Sequence, residues 1–476
     1  MSLQIRMNGR IVDLSPGAKI ELELVSPYLV YDDILSSKVT IPNLPASARN
    51  RAILGYPDLL QNDAVSFRYM CEKYYNGQLL QTGAAVLTEA GSEYSFTVVQ
   101  ALGEFFGAHQ YKPLSEIDFG SLALPNPLVK LVNSGNAPAV CFPTIVNPDY
   151  YGSNGAEVSY SGKMNDFASG AYSATGPKVP FLFVDYLLGR IAAVTGTTIT
   201  GDYFTTRPEL RKLILFNTRA LDRDAGPGAS AVTISRHLPE LTLAEFFLEL
   251  RKLFNLSFTF SPAERKLSIG FTSDMLKRPT VKDWSEKALK VYRKQPETSR
   301  RLQLGSELDS NDGLLKDKPP ITADYLSAEL AEPTGIAPLK SKFSTLLMDA
   351  ASGTATCKQA GVTATLNQSA NKFGARLLFY TGGDANNDAP TASSTLGALS
   401  LYWTGDKGLA RTFWTKNEEL RSRWFYLARN MTLNEFDLAS LDFSQKVHIN
   451  GVNYLPLKVI ASLPVRAPAQ VLFIRV

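Results

Sequence analysis

Histidine is the side chain that most often serves acid–base catalysis and metal binding near neutral pH, and the chain has three of them. His109, His237 and His448 are far apart, and no HExxH or HxH spacing brings two of them onto one helix face or strand face. Each is therefore predicted to be a surface or strand residue rather than a metal ligand.

The spacing most typical of calcium lies in DANND, residues 384–388, which supplies oxygen ligands at positions 1, 3 and 5 of an EF-hand-type loop. Position 6 is Ala389, where the sharp turn needs glycine, and position 12 is Thr395, where a bidentate glutamate is needed. A solvated loop is therefore favoured, and calcium at 384–388 stays open. DSNDG, residues 309–313, has the same interpretation.

KVYRKQPETSRR, residues 290–301, concentrates basic side chains and has Tyr292 available for stacking on a base. Clustered charge of this kind can neutralise nucleic-acid phosphates. The chain as a whole is nearly balanced, with 49 Lys and Arg against 45 Asp and Glu, so a hydrated linker is favoured. The basic residues are Lys290, Arg293, Lys294, Arg300 and Arg301.

Other patterns of catalysis are weak. The carboxylate pairs Asp32-Asp33 and Glu418-Glu419 are adjacent in sequence, and adjacent side chains diverge on a strand instead of facing one substrate. The sequence contains no GxSxG elbow, P-loop or GxGxxG motif. We therefore predict no catalytic, cofactor-binding or metal-binding residues, no cofactor, and a protein that is not an enzyme.

The composition is that of a folded globular protein. At 476 residues the chain can form about two to four domains. Hydrophobic residues make up 45% and charged residues 20%, which argues against wholesale disorder, and a net charge of +4 is too small for a dedicated nucleic-acid binder. The odd number of cysteines favours neither a disulfide framework nor a zinc site, and fits a reducing compartment. The cysteines are Cys71, Cys141 and Cys357.

Targeting and membrane signals are weak as well. The start, MSLQIRMNGRIVDL, has no apolar core typical of a signal peptide, and the apolar run VPFLFVDYLLG is interrupted by Asp185. Neither a secretion leader nor a membrane anchor is predicted.

The elements that would position any site are mainly β at both ends of the chain. Asn8-Gly9, Asn76-Gly77 and Asn450-Gly451 predict two-residue hairpin turns, because both central residues of a type I′ turn need positive φ. In KVHINGVNYLPLKVI, residues 446–460, the turn predicts that Val447 and Ile449 face Tyr454 and Val452. Apolar and acidic residues alternate in IELELV, residues 20–25, as in a half-buried strand.

A central α+β module interrupts this pattern. An apolar stripe of helical period runs over residues 184–194 and ends at Gly196, and a second runs over 243–253 and ends at Asn255. Thr242 and Glu245 form a capping box at the start of the second helix. Two apolar strands within residues 256–271 complete an α-β-β unit.

The remaining segments are rich in Pro, Gly, Asn and Ser. Residues 108–180 are predicted to be an irregular insertion, either ordered by itself or a contact loop that needs a partner. The predicted division is an N-terminal β domain at 1–107, this insertion at 108–180, the α+β module at 181–275, a linker and irregular segment at 276–345, and a C-terminal β domain at 346–476.

Three stretches carry a family resemblance. LNEFDLASLDFSQKVHINGVNYLPLKVIASL, residues 433–463, resembles the closing segment of phage tail-tip and baseplate-hub proteins. IELELVSPYLVYDDILSSKVTIPNLPASARNRAILGYPD, residues 20–58, is similar to their opening segment, and HLPELTLAEFFLELRKLFNLSFTF, residues 237–260, to their internal α-β-β module. The resemblance touches the start, middle and end of the chain.

This resemblance implies a structural protein of the virion. It implies two tail-tube-like β-barrel domains flanking α/β-type inserts, and a homotrimer, or else a hexamer, whose ring joins the tail tube to a spike or central fibre. The implied partners are other copies, a tail tube or distal tail protein, and a spike or fibre protein, with DNA or a tape-measure protein passing through the lumen. The implied location is the tail tip or baseplate of a virion made in the host cytoplasm.

Three alternatives stay open. A sixfold distal tail adaptor would differ in the number of subunits in the ring. A binding module, either carbohydrate-recognising or secretin-like, would also fit the α-β-β unit, although secretin-like proteins carry a secretion leader. An enzyme ranks third, because no paired nucleophile and base was found.

Overall fold

The computed structural model describes residues 3–32, 38–63, 66–99, 106–152, 159–226, 228, 230–261, 264–366, 373–382 and 388–476. Strands outnumber helices, and the sheets include half-barrels. The predicted fold class, mainly β with a central α+β module, is confirmed.

The strands are short in the middle of the chain and longer near its two ends. They are β1 (Leu3–Met7), β2 (Arg10–Ile11), β3 (Ile20–Val25), β4 (Lys38–Val39), β5 (Leu44–Pro45), β6 (Arg68–Tyr75), β7 (Gln78–Ala90), β8 (Glu93–Val99), β9 (Ser121–Ala123), β10 (Leu131–Ser134), β11 (Ala137–Cys141), β12 (Ile145–Val146), β13 (Lys163–Met164), β14 (Phe167–Ala168), β15 (Ala171–Tyr172), β16 (Phe181–Phe183), β17 (Thr198–Thr200), β18 (Leu213–Phe216), β19 (Ala231–Thr233), β20 (Leu256–Ser261), β21 (Lys266–Phe271), β22 (Thr280–Asp283), β23 (Ala288–Pro296), β24 (Arg301–Ser306), β25 (Tyr325–Leu326), β26 (Ile336–Ser341), β27 (Ser344–Thr345), β28 (Leu347–Met348), β29 (Ala355–Thr356), β30 (Arg376–Gly382), β31 (Thr391–Ser393), β32 (Thr395–Leu396), β33 (Leu399–Ser400), β34 (Phe425–Met431), β35 (Lys446–Ile449), β36 (Val452–Leu463) and β37 (Ala469–Arg475).

The helices lie mostly in the middle of the chain. The α-helices are α1 (Ala48–Leu54), α2 (Val184–Thr195), α3 (Asp222–Ala225), α4 (Leu243–Phe254), α5 (Thr272–Lys277), α6 (Thr415–Ser422) and α7 (Glu435–Ala439). Short 3-10 helices lie at Gly107–His109, Leu114–Glu116, Asp202–Phe204, Pro208–Lys212, Ile234–His237 and Pro320–Thr322, and a π-helical turn at Ala410–Trp414.

Strands from both ends of the chain build one body, which we call the terminal body and define as the described residues of 3–99, 280–296 and 425–475. One of its sheets has the order β2-β1-β6-β7-β8-β5, and the other β22-β35-β36-β37-β34-β23, with β3 also paired to β36 and β4 to β3. The sheets share one hydrophobic core, in which Ile5, Ile20, Trp284 and Phe473 are at most 2% exposed. The two ends of the chain therefore bury their apolar surface together.

All three Asn-Gly turns have the backbone that the sequence predicts. Asn8, Asn76 and Asn450 have φ of 48–49°, and the glycines after them 78–85°. At the last turn Val447 pairs with Tyr454 and Ile449 with Val452, which confirms the predicted register.

The middle of the chain forms a central body, which we define as the described residues of 106–277 and 297–424. Its main sheet has the order β10-β11-β16-β18-β30-β27, with β31 also paired to β30. The predicted α-β-β unit is confirmed, because α4 is followed by β20 and β21 with Phe258 opposite Ile269. Thr242 and Glu245 make the predicted capping box, and Asn255 ends the helix with φ of 51°.

The described part of the insertion at 108–180 is an ordered piece of the central body. Tyr150 and Met164 are 0% exposed and pack in one cluster with Phe181 and Leu378. The Tyr150 hydroxyl donates to the carbonyl of Thr218 at 2.8 Å. Of the two alternatives that the sequence leaves open, these contacts favour an insertion ordered by its own chain.

Strand pairing crosses two of the predicted domain boundaries. The linker assignment for 276–345 is wrong for residues 280–283 and 288–296, because β22 pairs with β35 and β23 with β34. Of the predicted C-terminal domain at 346–476, β30 pairs with β18 of the central body, whereas residues 425–475 lie in the terminal body. Long-range pairing of this kind leaves no mark in the local sequence pattern.

A short segment after β3 joins the two bodies. The Tyr28 hydroxyl lies 2.8 Å from that of Thr259, and the Tyr31 hydroxyl donates to the Asn255 side chain at 2.5 Å. The buried guanidinium of Arg251 lies 5.3 Å from the centre of the Tyr31 ring. These contacts place the segment against α4 and its first following strand.

No helix in the described part of the chain has both the length and the apolar character needed to cross a membrane.

Candidate functional site

The three histidines lie in separate environments. His109 ends a 3-10 helix, and Nδ1 of His448 on β35 lies 3.0 Å from Oδ1 of Asn453. The prediction of a surface or strand position is wrong for His237, since it is 1% exposed and ends the 3-10 helix Ile234–His237. Within the described ranges, no group of three or more His, Cys, Asp and Glu residues could hold a metal ion.

His237 belongs to a buried polar cluster around Asp224. The carboxylate accepts from Arg219 Nη2 at 2.6 Å and from Arg236 Nη1 at 3.0 Å, and His237 Nε2 lies 3.7 Å from it. Burial lowers the pKa of His237 to about 4, with the charge of Asp224 opposing that shift and Arg219 and Arg236 adding to it. The ring is therefore neutral at neutral pH, and the two arginines are the counter-ions of the carboxylate.

DSNDG is not a solvated loop, because two of its carboxylates pair with a buried arginine. Arg376 is 0% exposed, and its Nη1 and Nη2 lie 2.7 Å from Asp312 Oδ2 and 3.3 Å from Asp309 Oδ2. The backbone N–H of Gly374 donates to Asp309 at 2.8 Å and that of Lys358 to Asp312 at 2.9 Å. These carboxylates are counter-ions of the fold.

The calcium hypothesis for residues 384–388 lies outside the described residues, except for Asp388.

The predicted carboxylate pairs are placed differently from each other. Glu418 and Glu419 lie on α6 rather than on a strand, and both line one cavity of about 550 Å³. Asp32 is exposed, and Asp33 is outside the described residues. The three cysteines, Cys71, Cys141 and Cys357, are buried and form no disulfide.

The basic stretch at 290–301 divides into two parts. Arg300 Nη2 donates to Glu332 at 3.0 Å, and Arg301 Nη2 donates to the carbonyl of Ser327 at 2.8 Å, so both guanidinium groups have partners within the central body. Lys290, Arg293 and Lys294 lie on β23 of the terminal body. The interpretation as a hydrated linker is wrong for these three residues.

β23 is the edge strand of its sheet. It pairs with β34 from Tyr292 opposite Arg429 to Pro296 opposite Phe425, and the register shifts between Ala288 and Tyr292. In the described part of the chain no strand pairs with its other edge. Backbone N–H and C=O groups along that edge are therefore available to another strand.

Two apolar side chains of this edge strand are strongly exposed. Val291 is 83% and Tyr292 60% exposed. Arg429 Nε donates to the carbonyl of Leu289 at 2.6 Å, and its guanidinium lies 5.8 Å from the centre of the Tyr292 ring. Arg429 thus fixes the irregular part of β23 without covering its outer side.

A shallow cavity of about 280 Å³ adjoins β23. Val291 and Ile460 contribute apolar atoms to it, and Arg293 and Lys458 contribute charge. Lys458 pairs with Glu23 at 2.6 Å, whereas Arg293 has no acidic partner in the described ranges. We call Leu289–Lys294 together with Arg429, Lys458 and Ile460 the edge surface; it combines exposed apolar area with positive charge.

The end of β23 is fixed by Glu297. The carboxylate accepts from the Tyr426 hydroxyl at 2.8 Å and lies 3.6 Å from Arg421 Nη2. Burial by itself would raise the pKa of Glu297, but hydrogen bonds from the Ser299 backbone and Tyr426 and the charge of Arg421 outweigh burial and lower it. Burial, together with the bond to Glu297, raises the pKa of Tyr426 to about 12. The edge surface is thus presented on a strand with a defined position.

Comparisons with known proteins give no family. No protein-family model matches the chain, and no curated protein matches it. Among solved structures, the 43 kDa tail protein of prophage MuSo2 from Shewanella oneidensis is 10% identical, with a TM-score of 0.40 over 99% of this chain and 97% of that one. A tail protein from Neisseria meningitidis MC58 is 9% identical, with a TM-score of 0.38 over 99% and 95%. A topological model of the P2 virion baseplate in its activated conformation is 8% identical, with a TM-score of 0.20 over 96% and 98%. At these scores the likenesses establish neither a shared fold nor a function.

Proposed function

We propose that the chain is a structural protein of a phage tail or a related injection machine, and that its copies associate into a ring through the edge surface. The observation that carries the proposal is the edge of β23 that no described strand covers, where Val291 is 83% exposed. An exposed apolar edge strand is an aggregation hazard unless a partner covers it. The sequence resemblance to tail-tip and baseplate-hub proteins supplies the class of assembly.

Positive charge on the edge surface limits which partner strands can pair with β23. Lysines and a bulge on an edge strand discourage indiscriminate pairing, and β23 has both, with Lys290 and Lys294 flanking its exposed apolar residues. Partners that offer acidic side chains beside an open strand edge are favoured over others.

The ring joins the tail tube or distal tail protein to the spike or central fibre protein, and its lumen passes DNA or a tape-measure protein. A homotrimer is the first expectation and a hexamer the second. A sixfold ring without a threefold partner would favour a distal tail adaptor. The role is structural, without catalysis or a cofactor, and its place is the tail tip or baseplate of the virion.

Val291→Lys tests this proposal. We expect the substitution to weaken self-association at least tenfold, about 1.4 kcal/mol, because it buries a charge in the contact. Stability should change by less than about 0.5 kcal/mol, because the side chain is a surface one. Analytical ultracentrifugation gives the association constant, and electron microscopy counts the subunits.

The matched control is Leu60→Lys, which places the same charge on an apolar residue that is 96% exposed elsewhere in the terminal body. Self-association should persist in this variant. A wild-type chain that stays monomeric at high concentration, or a Val291→Lys chain that assembles like the wild type, would contradict the proposal.

A further inference from the structure

The cavity beside α6 has the size of a small-molecule site. Its volume is about 550 Å³, within the range of about 300–1,000 Å³ typical of ligand pockets. It lies in the central body, and the residues that matter for recognition are Tyr325, Asp406, Arg411, Glu418 and Glu419.

Unusual backbone brings these residues together. Arg411 lies in the π-helical turn Ala410–Trp414, which leads directly into α6 and its two glutamates. Asp406 lies in a tight turn closed by Gly408, where an added Cβ would come within 2.4 Å of the carbonyl oxygen of Thr404. Single π-turns in helices occur frequently at functional sites, because they redirect side chains that a regular helix would place elsewhere.

Some of the charged side chains at the cavity have partners within the protein, and others have none in the described ranges. Glu418 accepts from the Tyr325 hydroxyl at 2.8 Å, and Glu419 pairs with Lys416 at 2.7 Å. Within the described ranges, neither Asp406 nor Arg411 has an ion-pair partner. Both line the same cavity, so it offers a free acceptor and a free donor.

A neutral ligand with several hydroxyl groups fits this combination. Each hydroxyl can donate to a carboxylate and accept from a guanidinium, so a saccharide satisfies Asp406 and Arg411 at once. Arg411 would repel a simple cation, and Asp406 and Glu418 would repel a simple anion. The half-buried ring of Tyr325 adds apolar surface for the carbon face of a sugar.

We infer that this cavity binds a neutral saccharide. The inference goes beyond the structural role proposed above and does not rest on it, because the cavity is lined by residues of the central body and the edge surface by residues of the terminal body.

The test uses the full chain on an array of neutral and charged glycans, followed by titration calorimetry with the neutral oligosaccharide that binds best. Asp406→Ala and Arg411→Ala should each weaken binding at least tenfold, since each leaves hydroxyls without a partner. Tyr325→Phe keeps the ring and frees Glu418, and should change affinity by a smaller factor. Glu332→Ala, an exposed acid outside the cavity, is the control and should leave binding unchanged.

Absence of saturable binding by any neutral glycan on the array would overturn the inference, as would equal affinity of the wild-type and Asp406→Ala chains. Binding of charged glycans alone would overturn it as well, because it would assign the cavity to an ionic ligand. Self-association of the same variants is measured in parallel, so that a failed glycan test is told apart from a failed assembly proposal.

Discussion

Arg376→Ala is expected to lower the free energy of unfolding by about 3–5 kcal/mol. The guanidinium is 0% exposed and is the counter-ion of both Asp309 and Asp312. Its removal leaves two carboxylates in a region from which water is excluded, and an uncompensated buried charge costs far more than an ion pair contributes. The loss of packing against Phe216, whose ring centre lies 4.3 Å from the guanidinium carbon, adds to the effect.

Chemical unfolding followed by fluorescence and circular dichroism measures this change. Arg300→Ala is the matched control: its partner Glu332 is 80% exposed, so the loss should not exceed about 1 kcal/mol. Adding Asp309→Asn and Asp312→Asn to Arg376→Ala should recover part of the loss, because the unpaired charges are then removed. Equal destabilisation by Arg376→Ala and Arg300→Ala would show that the buried pairs are not the cause.

Acid should destabilise the chain through His237 by about 3 kcal/mol. Burial lowers the pKa of this ring from its ordinary value of 6.5 to about 4. Between these two values the unfolded chain binds a proton that the folded chain does not. The contribution is therefore fully present above pH 6.5 and is lost as the pH falls towards 4. The pKa of Asp224 is lowered as well, so that protonation of its carboxylate adds a further loss at still lower pH.

Unfolding free energies measured from pH 7 to pH 4 test this prediction. His237→Gln should flatten the pH dependence over this range, because the variant has no ring to protonate. The wild-type chain, measured in parallel over the same pH range, is the reference. A slope unchanged by His237→Gln would assign the acid sensitivity to other groups.

Patterns among neighbouring residues predicted those elements whose contacts form between residues close in sequence. The three Asn-Gly hairpins and the α-β-β unit at 243–271 depend on φ preferences, capping and periodicity, all of which are read from neighbouring positions. The pairing of Val447 with Tyr454 followed from the turn length alone.

Features built from distant segments could not be predicted in this way. Asp309 and Asp312 looked like a solvated acidic loop, since their counter-ion Arg376 lies in another element. The sequence around His237 does not identify its partner Asp224, which belongs to a different helix. In each case burial decides the role of the side chain, and burial depends on the whole fold.

The edge surface was missed for a related reason. In ALKVYRKQP, residues 288–296, apolar and polar residues do not alternate as they do in a half-buried strand. Nearly every residue of this strand is exposed, so no such alternation is needed. Adjacent Val291 and Tyr292 were the available signal: β-branched and aromatic residues are enriched in strands. The basic residues around them favoured a linker instead.

The pairing of Ile20 with Leu463 sets an order for folding during synthesis. The ribosome releases β3 long before its neighbour β36 exists, and contacts between such distant segments form slowly. The central body, whose strands pair among themselves, can fold before β36 has been synthesised and can pair with β3. During that interval the early strands expose their apolar faces, so the chain is most in need of a chaperone before its last hairpins emerge.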